Sequence, residues 1–202
     1  MRLELTRRPF RGAIVKFTES SLPGAYVVDI DPIGDERGFF ARTWCREEFQ
    51  AFGLSGAIEQ CSISLNRKRG TLRGMHYQTA PHDEVKLVRC TRGAIHDVIL
   101  DLRVDSPTFC RWFAVELTGE NGRTVYVPAG FAHGFQTLAD ESEVFYQISE
   151  PYRPEMARGV RWNDPTFQIE WPIPNPILSM RDRSFPDFSV SLEQIPICRK
   201  QS

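Results

Sequence analysis

"GRTVYVPAGFAH" occupies residues 122–133. Its segment 123–130 is rich in β-branched and aromatic side chains, which suit a pleated, half-buried surface, so a strand is predicted there. The same pattern recurs on both sides, in EVKLVRC (84–90), AIHDVILDL (94–102), RWFAVELT (111–118) and EVFYQIS (143–149). The stretches between them, TRG, RVDSPT, GENG and LADES, are short and carry Gly, Asp, Asn, Ser or Pro, the residues of turns. Helical periodicity is scarce. Its best case is TWCREEFQAFGL (43–54), where Trp44, Cys45, Phe49 and Phe52 would share one face and Gly53 would end the helix. Several short strands with little helix predict an all-β fold, an antiparallel sandwich or a closed barrel.

From Trp171 the chain meets four prolines by Pro186, so it is expected to run as an extended arm with at most a short helix. No internal repeat or low-complexity segment stands out. The expected organisation is one β domain over 1–202, with a core of about 25–172 and a wrapping arm over 173–202.

At 202 residues the chain can bury roughly 70% of its unfolded surface without the help of disulfides or metal. Lys and Arg number 25 against 26 Asp and Glu, and the net charge of −1 offers no field for nucleic acid or an anionic membrane. An anionic ligand must therefore be held by a local cluster of arginines and lysines. Five cysteines (Cys45, Cys61, Cys90, Cys110 and Cys198) are odd in number, widely spaced and form no CxxC. That pattern is neither a disulfide framework nor a zinc site, and it favours a reducing compartment. The opening MRLELTRRPF lacks the roughly 7–15-residue apolar core of a signal peptide. No apolar run approaches the ~20 residues of a membrane helix. A cytoplasmic protein is expected.

Two segments share a design. Gly122 lies six residues before Pro128, which opens PAGFAH, and Gly70 lies six residues before His76 in RGTLRGMHYQ. The first matches the G-x5-P-x-G-x2-H pattern of the cupin superfamily, a small jelly roll or double-stranded β-helix. The second resembles the opening half of the other cupin motif, G-x5-H-x-H. Such motifs let inward-facing side chains from facing strands converge inside the barrel, where the usual ligands bind a divalent metal. Here the second histidine is replaced by Gln78, and Glu84 departs from the usual spacing. His76 and His133, with Glu84 as an ill-spaced third, fall short of the three good ligands that zinc or iron sites use.

Without a metal, other chemistry must explain the polar residues. Arg73, His76, Lys86, His133 and Tyr146 fall on or beside predicted strands. Strand parity groups Lys86 with Val88 and Cys90, and Tyr146 with Val144 and Ile148, on faces able to point inward. A buried lysine is costly unless a ligand or carboxylate compensates. Beside a histidine and a tyrosine, it suits carbanion chemistry: a base takes a proton next to a carbonyl, a cation steadies the enolate and an acid returns a proton.

The motifs GDERGFF (34–40), LRGMHYQ (72–78), KLVRC (86–90), DSPTF (105–109), VPAGFAHGFQTL (127–138), FYQIS (145–149), WND (162–164), IEWP (169–172) and LSMRD (178–182) occur in that order. Together, over roughly residues 25–185, they resemble the dTDP-4-dehydrorhamnose 3,5-epimerase family. The resemblance implies a homodimeric cupin-type jelly roll with no metal and no organic cofactor. It would epimerise C3 and C5 of a nucleotide-linked 4-keto-6-deoxy sugar. The resemblance assigns the catalytic base to His76, its orienting aspartate to Asp182, the cation near the C4 oxygen to Lys86 and the acid on the opposite face to Tyr146. Arg37, Arg73, His133 and Arg181 match substrate contacts, the arginines suiting diphosphate oxygens. Tyr152 matches the aromatic residue stacked on the base. Gln60 and Ser62 fall in the base- and sugar-recognition region, where Cys61 and Ser62 depart from the family's Gln-Asp-Asn and Arg42 replaces an acidic residue. Gly74 is expected to let the backbone bend so that Arg73 and His76 face one ligand.

Plainer roles are assigned to the remaining residues. His82 and His96 read as structural, Arg67, Lys68 and Arg69 as a solvated loop, Trp112, Trp162 and Trp171 as core or interface residues, and Asp164 as a turn residue. Two other readings stay open: a metal-dependent cupin enzyme such as a dioxygenase or sugar isomerase, and a noncatalytic cupin that binds a sugar nucleotide.

Overall fold

A computed structural model describes residues 15–188. The strands are β1 (Val15–Glu19), β2 (Tyr26–Ile30), β3 (Ile33–Asp35), β4 (Gly38–Phe40), β5 (Gln60–Asn66), β6 (Leu72–Gln78) and β7 (Lys86–Arg92). They continue as β8 (Ala94–Asp101), β9 (Trp112–Thr118), β10 (Thr124–Val127), β11 (Phe131–Thr137), β12 (Ser142–Ile148) and β13 (Ala157–Gly159). Two short helices, α1 (Arg46–Ala51) and α2 (Met180–Arg183), complete the described elements. Every strand pairing is antiparallel. One sheet has the order β1-β2-β10-β7-β12-β5, the other β13-β6-β11-β8-β9, and β3 pairs with β4 alone. The expected all-β jelly roll is the observed architecture.

The stretch 122–133 shows how the two sheets come from one chain. All four residues of β10 are buried. Val125 and Val127 enter the cluster between the sheets, while Tyr126 packs outward with Phe49 of α1. Pro128 cannot extend the ladder, and Gly130 sits at φ +81°, where a Cβ would lie 2.7 Å from Arg103 Cγ. The chain turns there and begins β11 in the opposite sheet. Val88, Cys90, Ile95, Ile99, Leu117, Phe135 and Val144 fill the space between the sheets, with the alternation that a period of two requires.

The helix predicted over 43–54 is only six residues long, Arg46–Ala51. Phe49 alone of its expected apolar face is fully buried, and Phe52 remains exposed. Trp44 and Cys45 precede the helix because Cys45 already has extended backbone angles and its side chain makes no cap bond. Gly53 follows at φ +74°, as the sequence requires of a stop.

After β13 the chain covers the outer face of the second sheet. Val160, Phe167, Ile169, Trp171 and Phe188 pack there against Met75, Val98 and Leu100. Buried Asp164 holds this segment by accepting from the backbone N–H of Thr166 and of Phe188. Trp112 and Trp171 donate their indole N–H to the carbonyls of Phe167 and Trp162. A parallel bridge between Thr71 and Ile177 then leads the arm to the end of β6 and into α2. Residues 189–202 of the expected arm, and Cys198, lie outside the described residues.

Candidate active site

A cavity of about 370 Å³ opens at one end of the sandwich, lined from both sheets. β5 supplies Gln60 and Ser62, β7 supplies Lys86 at its first residue and β12 supplies Tyr146; the opposing sheet supplies Arg73 and His76 from β6 and His133 from β11. Tyr152 lies in the segment after β12, Arg158 on β13, and Arg181 projects from α2. The parity argument for Lys86 and Tyr146 holds: both share their faces with residues of the apolar core, and Tyr146 packs against that core.

Strict alternation would send Arg73 and His76, three residues apart, to opposite faces of β6. The register resolves this. His133 pairs with His76 and Phe135 with Arg73, so two steps along β11 match three along β6, and one extra residue forms a bulge at Gly74–Met75. Met75 turns into the outer apolar cluster, and both polar side chains face the cavity. Gly74 is required at that point: its φ is +120°, and a Cβ there would stand 2.5 Å from Gly134 Cα and 2.7 Å from the His133 carbonyl oxygen.

His76 Nε2 lies 2.7 Å from Asp182 Oδ1. The bond closes across 106 residues, because the arm returns to the strand and Ser179 caps α2 by accepting from the Asp182 N–H. Burial alone would raise the Asp182 carboxyl, but the hydrogen bond and charge of His76, with bonds from Ser179 and Gly74, hold it below the ordinary carboxylate range. An ionised Asp182 makes Nε2 a donor, which leaves Nδ1 as the imidazole nitrogen able to take a proton. The Phe185 ring flanks the imidazole in a T-shaped arrangement, with the ring centroids 5.9 Å apart.

The facing wall carries Tyr146. Burial pushes its hydroxyl far above the usual tyrosine range; the charge of Asp97 adds to this, and Arg73 partly opposes it. Tyr146 is therefore a protonated donor at neutral pH. Lys86 sits between the two walls, its Nζ 3.3 Å from the His76 carbonyl oxygen and 2.8 Å from Glu84 Oε1. Arg73 Nε donates to Asn66 Oδ1 at 2.7 Å, which ties β6 to β5 across the mouth.

Most residues singled out from the sequence line this cavity, and Asp182 stands directly behind His76. Arg37 does not join them. It lies on the β3–β4 turn, exposed, with its guanidinium on Asp35. Gln78, at the place of the missing second histidine, is buried and tethers loops instead: it donates to the carbonyls of His82 and Pro151 and accepts from the Arg153 N–H.

Asp97 and Arg158 had escaped notice, and Glu84 was weighed only as an ill-spaced metal ligand. Asp97 holds His133 Nε2 at 2.7 Å inside the barrel, and its parity with Ile95 and Ile99 on an apolar strand was a readable sign. Glu84 pairs with Lys86 from two positions earlier, and Arg158 joins Arg181 at the cavity wall. Among the described residues, no group of three or more His, Cys, Asp or Glu side chains is placed to hold a metal ion. The Nε2 atoms of His76 and His133 already face carboxylates. No helix of the described residues is long and apolar enough to cross a membrane.

Comparison with known proteins agrees with this geometry. The family model described as dTDP-4-dehydrorhamnose 3,5-epimerase matches residues 19–189. A dTDP-4-dehydrorhamnose 3,5-epimerase of Sinorhizobium fredii is 42% identical over 165 residues, covering 81% of this chain and 83% of the relative. The crystal structure of the Bacillus anthracis dTDP-4-dehydrorhamnose 3,5-epimerase, with TDP and PPi bound, superposes with a TM-score of 0.84 at 39% identity, covering 87% of this chain and 100% of that one. A 3'-monoepimerase from Streptomyces bikiniensis, solved in complex with dTDP-quinovose, gives a TM-score of 0.78 at 36% identity over 83% of this chain and 85% of that one.

Proposed function

The chain belongs to the dTDP-4-dehydrorhamnose 3,5-epimerase family, and from that premise we propose that it inverts C3, C5 or both in a dTDP-linked 4-keto-6-deoxy sugar. It is an isomerase of the epimerase class acting on carbohydrates. In our reading, His76 Nδ1 removes the proton next to the C4 ketone while Asp182 stabilises the imidazolium that results. The Lys86 ammonium faces the C4 oxygen, where the enolate charge develops. Tyr146 returns a proton to the other face of the carbon. Removal and return from one side would restore the starting stereocentre, so inversion needs two walls. The observation that carries the proposal is that His76 and Tyr146 rise from opposing sheets across one cavity, with Lys86 between them. Arg73, Arg158 and Arg181 suit the diphosphate, Tyr152 suits stacking on the base, and Gln60, Ser62 and His133 suit the nucleotide and sugar.

Solvent deuterium exchange with dTDP-4-keto-6-deoxyglucose tests this reading. Incorporation at C3, C5 or both is expected, and the pattern names the carbons inverted. No incorporation at either carbon, with this or another nucleotide, would refute the proposal.

We also infer a homodimer. Ile33, Phe39 and Phe40 stand exposed on the β3–β4 hairpin, and Ile63 and Leu65 on the edge strand β5. Apolar groups on an edge strand and a projecting hairpin favour a protein contact. A second copy seated there would carry its Arg37 away from its own fold and toward a neighbour. Light scattering that gave a monomer mass at assay concentrations would remove this inference. The four described cysteines are free, which supports a reducing cytoplasm as the location.

A further inference from the structure

Glu84 has no role in the reaction as described so far, yet it lines the same cavity and is nearly buried, with its Oε1 2.8 Å from Lys86 Nζ. An ammonium has three N–H donors in tetrahedral array. One is directed at Glu84 and a second at the His76 carbonyl oxygen, 3.3 Å away. The two acceptors come from different places, the loop before β7 and the strand β6. Together they fix rotation about the Cε–Nζ bond, and the third donor is left for the cavity. Lysine otherwise carries its charge on a flexible four-carbon stem, a poor way to meet one developing oxygen. A buried ammonium also needs a carboxylate to remain charged.

We propose that Glu84 is a positioning residue for the epimerisation: it fixes the direction of the Lys86 ammonium and aims its remaining N–H at the C4 oxygen as negative charge grows there. The inference rests on the epimerase reading. Glu84 touches neither reacting carbon and works only through Lys86. Its own negative charge opposes an enolate, so its value lies in the ammonium that it holds.

The test compares the wild-type protein with Glu84→Gln, Lys86→Met and the double variant. For each, kcat, KM and deuterium incorporation into dTDP-4-keto-6-deoxyglucose are measured, with dTDP affinity and thermal melting alongside. Glu84→Gln is expected to lower kcat on the order of 10²-fold, with KM and dTDP affinity little changed. The double variant should be no slower than Lys86→Met alone. The double variant also removes both charges, so it stays informative if the single change leaves an unpaired buried ammonium and weakens the fold. A Glu84→Gln enzyme within about twofold of wild-type kcat would overturn the inference. So would a Glu84→Gln effect of equal size in the Lys86→Met background. A wild-type protein that exchanged no deuterium would bring down the epimerase reading, and this inference with it.

Discussion

The molecule contains two histidine–aspartate pairs with the same 2.7 Å bond through Nε2, and they differ in nearly everything else. His133 and Asp97 sit on adjacent strands, β11 and β8, inside the barrel. His76 draws its aspartate from the returning arm, 106 residues away, and its side chain is 38% exposed against 5% for His133. A pair formed by register between neighbouring strands is set once the sheet forms. A pair closed by an arm depends on the anchors of that arm, here Asp164, Trp171, the Thr71–Ile177 bridge and the Ser179 cap. Both imidazoles line the cavity beside a carboxylate, so the pairing does not distinguish them; the greater exposure of His76 does.

The largest expected effect separates the pairs by function. His76→Ala should lower kcat by about 10²–10⁴-fold while the protein still melts cooperatively. His133→Ala should also unfold more easily, by about 3–5 kcal/mol in denaturant titration, because it leaves Asp97 buried without its partner. Equal stability losses in the two variants would break the comparison.

A smaller effect comes from the aspartates. Asp182→Asn should reduce kcat by roughly 10–100-fold with KM nearly unchanged, since it removes the charge that favours the imidazolium but not a substrate contact. Asp97→Asn should act mainly on melting temperature. Steady-state kinetics beside thermal melting decide whether the two roles are distinct.

The smallest effect is in acid. The Asp182 carboxyl is held below its ordinary value of 3.8, so its contribution to stability is fully present above that value. That contribution is lost as pH falls through the depressed folded value. Wild-type stability should therefore decline more steeply than that of Asp182→Asn below about pH 4, and the difference in slope should vanish near neutrality. Denaturant titrations across that range check the sign. A steeper decline in the variant would show that Asp182 is not stabilised in the fold.

Much of this was legible in the chain. Strand positions, the inward faces of Lys86 and Tyr146 and the stop at Gly53 follow from a period of two and from local backbone preference. The need for a carboxylate beside a buried Lys86 was also readable, although its identity as Glu84 was not. The helix expected over 43–54 is shorter in the fold, because the backbone is still extended at Cys45 and no side chain caps an earlier start. Arg37 was assigned to a site that its own fold does not bring to it. A motif records which residues serve a reaction, and says nothing about which surface carries them there.

By itself the sequence determined an all-β chain, its family and the residue types that the chemistry uses, because these depend on local pattern and ordered motifs. Tertiary structure supplied the geometry behind three expectations. A bulge at Gly74–Met75 sets Arg73 and His76 on one face. An arm across 106 residues makes His76 Nδ1 the free nitrogen. Facing sheets set Tyr146 across the cavity from His76. Each joins residues far apart in the chain, or depends on a register that strand alternation does not encode.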